Sequence, residues 1–202
     1  MEPRDLHLAA ERGLFVGPGE SEEAFRARLA ASPPSATPIP TPFGVAPDWI
    51  EYVETSRGLA PWEVAAAWID PPHIEIRARP ALGAIAKLFR LAPDEVITHE
   101  AIHAIRLTYA EPRFEEVFAY MTSKAKWRRL IGPLFRTSRE SLLFVLTTLT
   151  PFLHPFGISL PLLFIAFASL RLALTRRSLK KALATIAREV GSSEPLAIAL
   201  HL

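Results

Sequence analysis

Residues 141–174 contain no acid and a single basic residue, Arg171. No other feature narrows the possible folds so far, because a stretch this apolar cannot form a solvated surface. Pro151, Pro155, Gly157 and Pro161, with His154 among them, divide it into two lobes, 142–153 and 158–174. Each lobe falls short of the ~20 apolar residues that cross a bilayer comfortably, so a buried hairpin in a soluble protein is one reading. A chain of 202 residues, however, offers too little other apolar surface to cover two helices that are hydrophobic all round, and its mean hydropathy is positive. Insertion into a membrane is the expected outcome.

The flanks set the expected topology. Lys124, Lys126, Arg128, Arg129, Arg136 and Arg139 precede the run, and Arg171, Arg176, Arg177, Lys180 and Lys181 close it. Basic loops stay cytoplasmic, so both termini are expected on the cytoplasmic side of the cytoplasmic membrane, with residues 139–175 forming a helical hairpin, spanning or re-entrant, whose tip is 151–157. A single kinked span is the alternative, and it leaves one basic cluster on the wrong side.

Charge is distributed unevenly along the chain. Through Glu116 there are 11 basic and 18 acidic residues, a net of −7, against 12 basic and 3 acidic beyond it, a net of +9. The basic half suits anionic headgroups, so a lipid bilayer is an expected partner. No aromatic-interleaved basic patch accompanies it, so nucleic acid is not. In residues 176–202, Leu179, Leu183, Ile186 and Val190 recur opposite Lys180, Lys181 and Arg188, which predicts an amphipathic helix on the membrane surface or against the rest of the protein. The absence of cysteine removes disulfides and thiolate metal sites, and no basic segment followed by an apolar one opens the chain, so no cleavable signal is expected.

The chemistry is concentrated in His99-Glu100-Ala101-Ile102-His103, an HExxH string. On a helix, residues four apart share a face, so His99 and His103 can offer imidazole nitrogens to one metal ion while Glu100 sits beside its open position as a base toward water. Pro93-Asp94-Glu95 predicts the helix start, and Val96, Ile97, Ala101, Ile102, Ala104 and Ile105 embed the polar trio in apolar packing. The plain alternative is a pair of histidines on a solvated helix face.

A third ligand is expected from a second helix in 113–120, after the break Ala110-Glu111-Pro112. With a rise of ~1.5 Å per residue, His103 lies ~9 Å before the first helix ends near Tyr109, and Glu116 lies ~5 Å into the second, so an antiparallel pair brings them to similar heights. Glu116 shares a face with Ala119 and Tyr120. Glu115 points about a hundred degrees away, toward water, and is the second choice.

These residues resemble the zincin metallopeptidases, in particular the gluzincins, whose two HExxH histidines and a downstream glutamate bind zinc. Val96, Ala101, Ile102 and Ile105 match the longer zincin pattern, and Glu116-Val117-Phe118-Ala119-Tyr120 is similar to the gluzincin Glu-x-x-Ala-Asp string, with Tyr120 in place of the aspartate that orients a ligand histidine. The resemblance covers residues 96–120. It implies a Zn2+ cofactor held by His99, His103 and Glu116, Glu100 as catalytic base, and a peptide or protein substrate. Arg106, on the same helical face, is expected to meet a substrate carboxylate or the oxyanion unless it pairs with Glu111 or Glu115. Tyr109 and Tyr120 are expected oxyanion donors.

Upstream, residues 73–79 alternate polar and apolar as a half-buried strand does. The resemblance implies an edge strand beside the active-site helix that pairs with an extended peptide substrate; one strand of a small sheet with no substrate role is the alternative. Residues 81–90 read as a short helix, and 49–53 and 62–68 as two amphipathic helices. Residues 1–46 read as two short helices, near 5–12 and 21–31, and a Pro-rich segment at 32–42 that extends as a tether or across the cleft, partly disordered.

The expected fold is therefore mostly α (α+β): a small zincin-like helical unit over 47–138, with a short strand or sheet beside the HExxH helix, followed by the membrane hairpin. The expected function is a membrane-associated zinc metallopeptidase. A non-catalytic membrane-hairpin protein with a coincidental or structural HExxH site is the alternative, and a metal hydrolase acting on another bond is a third.

Overall fold

The computed structural model describes residues 2–34, 36–60, 63–70, 73–80, 91–109 and 111–190. These are mostly helical, with one small sheet and one long apolar helix toward the C-terminus. In chain order they form α1 (Pro3–Glu11), α2 (Glu22–Ala31), β1 (Glu51–Glu54), β2 (Ala65–Asp70), β3 (His73–Ala78), α3 (Pro93–Arg106), α4 (Pro112–Met121), α5 (Lys126–Ile131), α6 (Ser138–Thr147), the single turn α7 (Thr150–Leu153) and α8 (Ser159–Val190). Short 3-10 turns at Leu107–Tyr109, Gly132–Leu134 and Pro155–Ile158 link the later helices.

The sheet has the order β1-β3-β2, with β3 parallel to β1 and antiparallel to β2. Two expectations are corrected here. The stretches 49–53 and 62–68 are not helices: their described parts supply β1 and β2, because β3 satisfies their backbone along both edges and outweighs the helix preference of Ala65, Ala66 and Ala67. The alternating strand β3 lies in the middle of the sheet, not at an edge. The edge strand beside α3 is β2, whose Ala67 N–H reaches a side chain of α3. The helix expected at 81–90 lies outside the described residues, as do Trp62 and the tail 191–202.

Helix α3 begins as its sequence dictates, with Pro93 in the first turn and Asp94 and Glu95 at the positive end of the dipole. Its inner face, Ala101, Ile102 and Ile105, is buried against Ile50, Ile76 and Phe118. Ala101 and Ala104 are small, which lets α4 approach closely enough to bury Phe118 and Ala119 completely. A salt bridge buried at both ends, Arg128 Nη2 to Glu95 Oε2 at 2.7 Å, ties α5 to the first turn of α3. Glu95 Oε1 also accepts from the Lys124 backbone at 3.2 Å, so the carboxylate is fully engaged.

The N-terminal 46 residues do not stand apart. Ala9, Leu14 and Phe25 enter the same core as α3, and Trp49 Nε1 donates to the Arg12 carbonyl at 2.8 Å. Gly13 turns the chain with φ +73°, a conformation open to glycine, where a Cβ would press on Ile105. In the Pro-rich segment, Ala36 N and Ile39 N donate to the carbonyls of Asp48 and Pro47, each at 2.9 Å, so it runs against 47–48, and none of its described residues lines the cavity of His99 and His103.

The apolar run is divided near the expected proline-rich turn, where Thr150 Oγ1 donates to the Gly157 carbonyl at 2.6 Å. Its second lobe does not stop at residue 175: α8 is one helix from the apolar stretch through the basic amphipathic one. On its inner side Leu172 and Leu179 join the core, while Leu162, Leu163, Phe167 and Leu170 are between 60% and 66% exposed. Among the described residues one helix, within Phe156–Glu189, is long and apolar enough to cross a membrane. Helix α6 touches it through Glu140 and Arg171, 2.6 Å apart, and through the rings of Phe144 and Phe164, 5.9 Å apart.

Candidate metal centre

Helices α3 and α4 bring three expected ligands together. His99 Nε2 and His103 Nε2 lie 3.3 Å apart, and the Glu116 oxygens lie 3.8 Å from the first and 3.6 Å from the second. One donor atom from each of the three falls within 4.8 Å of the others, so the cluster could hold a metal ion. The meeting has a local cause. Glu111 caps α4 by accepting from Arg113 N and Phe114 N, and Pro112 opens the helix, which fixes Glu116 one turn inside, level with the histidines.

Both imidazoles are held by a second contact. His103 Nδ1 lies 3.2 Å from Glu115 Oε1, and His99 hydrogen-bonds the backbone of Ala119. Glu115 therefore does not face water as its helical angle suggested. It sits at the same height as His103, and a ring nitrogen directed away from the cluster meets it. The acid that orients a histidine is thus the residue before Glu116. Tyr120, at the position of the aspartate in the Glu-x-x-Ala-Asp string, lays its ring edge-on to His99 at 4.7 Å between centroids.

Glu100 Oε2 accepts from the Ala67 N–H of β2 at 3.1 Å. Together with His99, His103, Glu116 and Tyr120, it lines a cavity of about 550 Å3. The opposite wall comes from α6 and the turn before it, including Phe135, Leu142 and Val145, so the first helix of the apolar run faces the cluster. Glu63, which sequence reading did not single out, also lines the cavity and accepts from Ser138 Oγ at 2.8 Å, fastening α6 beside β2. It had no signal of its own, being one acid in a stretch read as a helix.

Arg106 is placed elsewhere. It is fully buried, 3.6 Å from Glu111 and with its guanidinium 4.7 Å from the centroid of the Phe118 ring. The angular reading put it on the histidine face, but it lies two turns beyond His99, level with the start of α4, and packs under that start. Pairing with Glu111, the other expectation for it, is what occurs. Tyr109 goes with it, 5.7 Å from the same guanidinium, and neither lines the cavity.

The charges of the cluster are coupled. Burial and the neighbouring His103 push His99 down to about 3. Burial works against protonation of His103 as well, but the hydrogen bond with Glu115 and the charges of Glu116 and Glu100 raise it to about 9. Burial lifts Glu116 to about 7, opposed by His103, and raises Glu100. At neutral pH these shifts favour a proton on His103, which Glu115, Glu116 and Glu100 surround.

No protein-family model, curated protein or solved structure matches this chain.

Proposed function

We propose that this protein is a membrane-associated zinc metallopeptidase of the zincin kind, cleaving peptide bonds with Glu100 as general base. The observation that carries this reading is the convergence of His99, His103 and Glu116 on one point with Glu100 in the same cavity. The donor set fits zinc. Ligands ~2.0–2.1 Å from a tetrahedral ion stand roughly 3.3–3.4 Å apart. The imidazole nitrogens are already 3.3 Å apart, and with one oxygen of Glu116 the three donor atoms lie within 4.8 Å of one another, so a small inward shift of the carboxylate closes the set. Two oriented imidazoles and one carboxylate would leave a fourth position open, which is the pattern of catalytic zinc sites and not of structural ones.

Zinc, when bound, supplies Lewis acidity that polarises a carbonyl and acidifies water. The chain supplies the rest. One Glu100 oxygen is held by Ala67, leaving the other to take a proton from the attacking water as the C–O bond forms. The same carboxyl then passes that proton to the amine nitrogen as the C–N bond breaks. Tyr120 lines the same cavity and would donate to the oxyanion; burial pushes its phenol up to about 12, so it stays protonated.

The outward apolar face of α8 supports membrane attachment, with α6 and α8 entering as a hairpin. The basic clusters at either end of the run keep the termini and the metal site on the cytoplasmic side. A non-catalytic membrane protein with a structural metal is the competing reading, and the cavity beside the cluster favours the enzyme.

The test is metal content together with cleavage of a peptide library by the detergent-purified chain. Glu100→Gln should retain zinc and lose activity by roughly 10²–10⁴-fold. Protein that holds no zinc, or a variant as active as the parent, overturns the reading.

A further inference from the structure

We propose that the groove between α5 and α8 binds the headgroup of an acidic phospholipid. It is a cavity of about 350 Å3, separate from the His-Glu cluster, lined by Lys126, Arg129, Arg176 and Lys180. The rest of its lining is apolar, Leu179 and Leu183 of α8 included, and among the described residues no acid lines it. Four cations around an apolar floor make a poor solvent-facing surface and a good seat for a phosphodiester whose glycerol and upper acyl carbons need apolar contact. Arg176 is fixed in place, donating to the Arg129 carbonyl at 2.8 Å and so tying α8 to α5.

The height of the groove agrees with that ligand. Leu174 ends the apolar run, and Arg176 and Lys180 follow it two and six residues later in the same helix, ~3 and ~9 Å along the axis. The polar layer on each side of a bilayer is roughly 5–8 Å thick, so Arg176 stands in it when the apolar stretch is embedded, and Lys180 stands at its outer edge with a side chain long enough to reach back. On α5, Trp127 is 48% and Leu130 59% exposed beside the groove, and an exposed tryptophan at this level is an interfacial anchor. Charge complementarity selects an acidic lipid over a zwitterionic one, and the apolar floor selects a lipid over free phosphate.

The inference rests on the membrane part of the proposed function and not on the zinc chemistry. It is tested on the full chain in neutral detergent by native mass spectrometry and melting temperature, with three probes: dioctanoyl phosphatidylglycerol, dioctanoyl phosphatidylcholine and inorganic phosphate. The expected result is one saturable phosphatidylglycerol adduct, with the other two probes binding at least about tenfold more weakly. The double variant Lys126→Glu/Lys180→Glu should weaken that adduct by at least about tenfold. Arg177→Glu/Lys181→Glu, which reverses equal charge on a neighbouring face of α8, should preserve it. If the first pair fails to fold by its melting curve, Lys126→Gln/Lys180→Gln takes its place. Equal loss in both pairs means diffuse attraction and overturns the site, as does equal binding of phosphatidylcholine or of inorganic phosphate. Failure of the zinc reading appears in metal content and leaves these results unchanged, and failure of the membrane reading appears as a chain that stays dispersed without detergent.

Discussion

Glu115 Oε1 lies 3.2 Å from His103 Nδ1, so the carboxylate next in sequence to a candidate ligand orients the other nitrogen of a candidate ligand histidine. It selects the tautomer that leaves His103 Nε2 as donor toward the cluster. Glu115→Gln should lower zinc affinity by about 10–100-fold with the fold intact, measured by competition with a chromogenic chelator. Unchanged affinity would show that the contact is incidental.

Metal binding should depend steeply on pH, because protons and metal compete for the same atoms. His103 titrates near 9 and Glu116 near 7 in the metal-free cluster, and both must lose their protons to become ligands. Affinity should therefore rise with pH, by roughly a hundredfold per unit below pH 7 and roughly tenfold per unit from 7 to 9, and level off above. Zinc titrations across that range give the slope. A flat profile contradicts the coupling.

The Ala67 N–H donates to Glu100 and not to β3, so proline at 67 removes the contact that positions the base while sparing the strand ladder. Ala67→Pro should reduce peptide cleavage by about tenfold or more and leave metal content unchanged. Loss of metal along with activity would mean that the strand itself had moved.

Gly132 sits against the Tyr120 ring so closely that a Cβ there collides with it. Gly132→Ala should displace Tyr120 from His99 and cost about 1–3 kcal/mol, seen as a lower Tm with perturbed His99 ring resonances.

Glu95 and Arg128 are 5% and 7% exposed and pair with two hydrogen bonds. Removing one partner strands the other charge, so Arg128→Met alone should cost about 3–5 kcal/mol. The double change Glu95→Leu/Arg128→Met should recover most of that in a denaturation series. A double variant no better than the single would assign the loss to packing.

What the sequence determined by itself is what depends on near neighbours along the chain. The start of α3 at Pro93, the shared face of His99 and His103, the α4 register that selects Glu116 and the break near 151–157 all follow from helical spacing, proline and capping, and the fold keeps each of them. Tertiary structure decided what depends on distant partners. Residues 51–54 and 65–70 became strands because β3 lies between them, and Ala67 could then reach Glu100 across 33 positions. Glu115 turned from solvent to His103, and Arg106 from the cluster to Glu111, because helix packing sets which side chains share a height as well as an angle. Angle is local, fixed by 3.6 residues per turn; height across a helix pair is fixed only when the turn between them closes and the core packs.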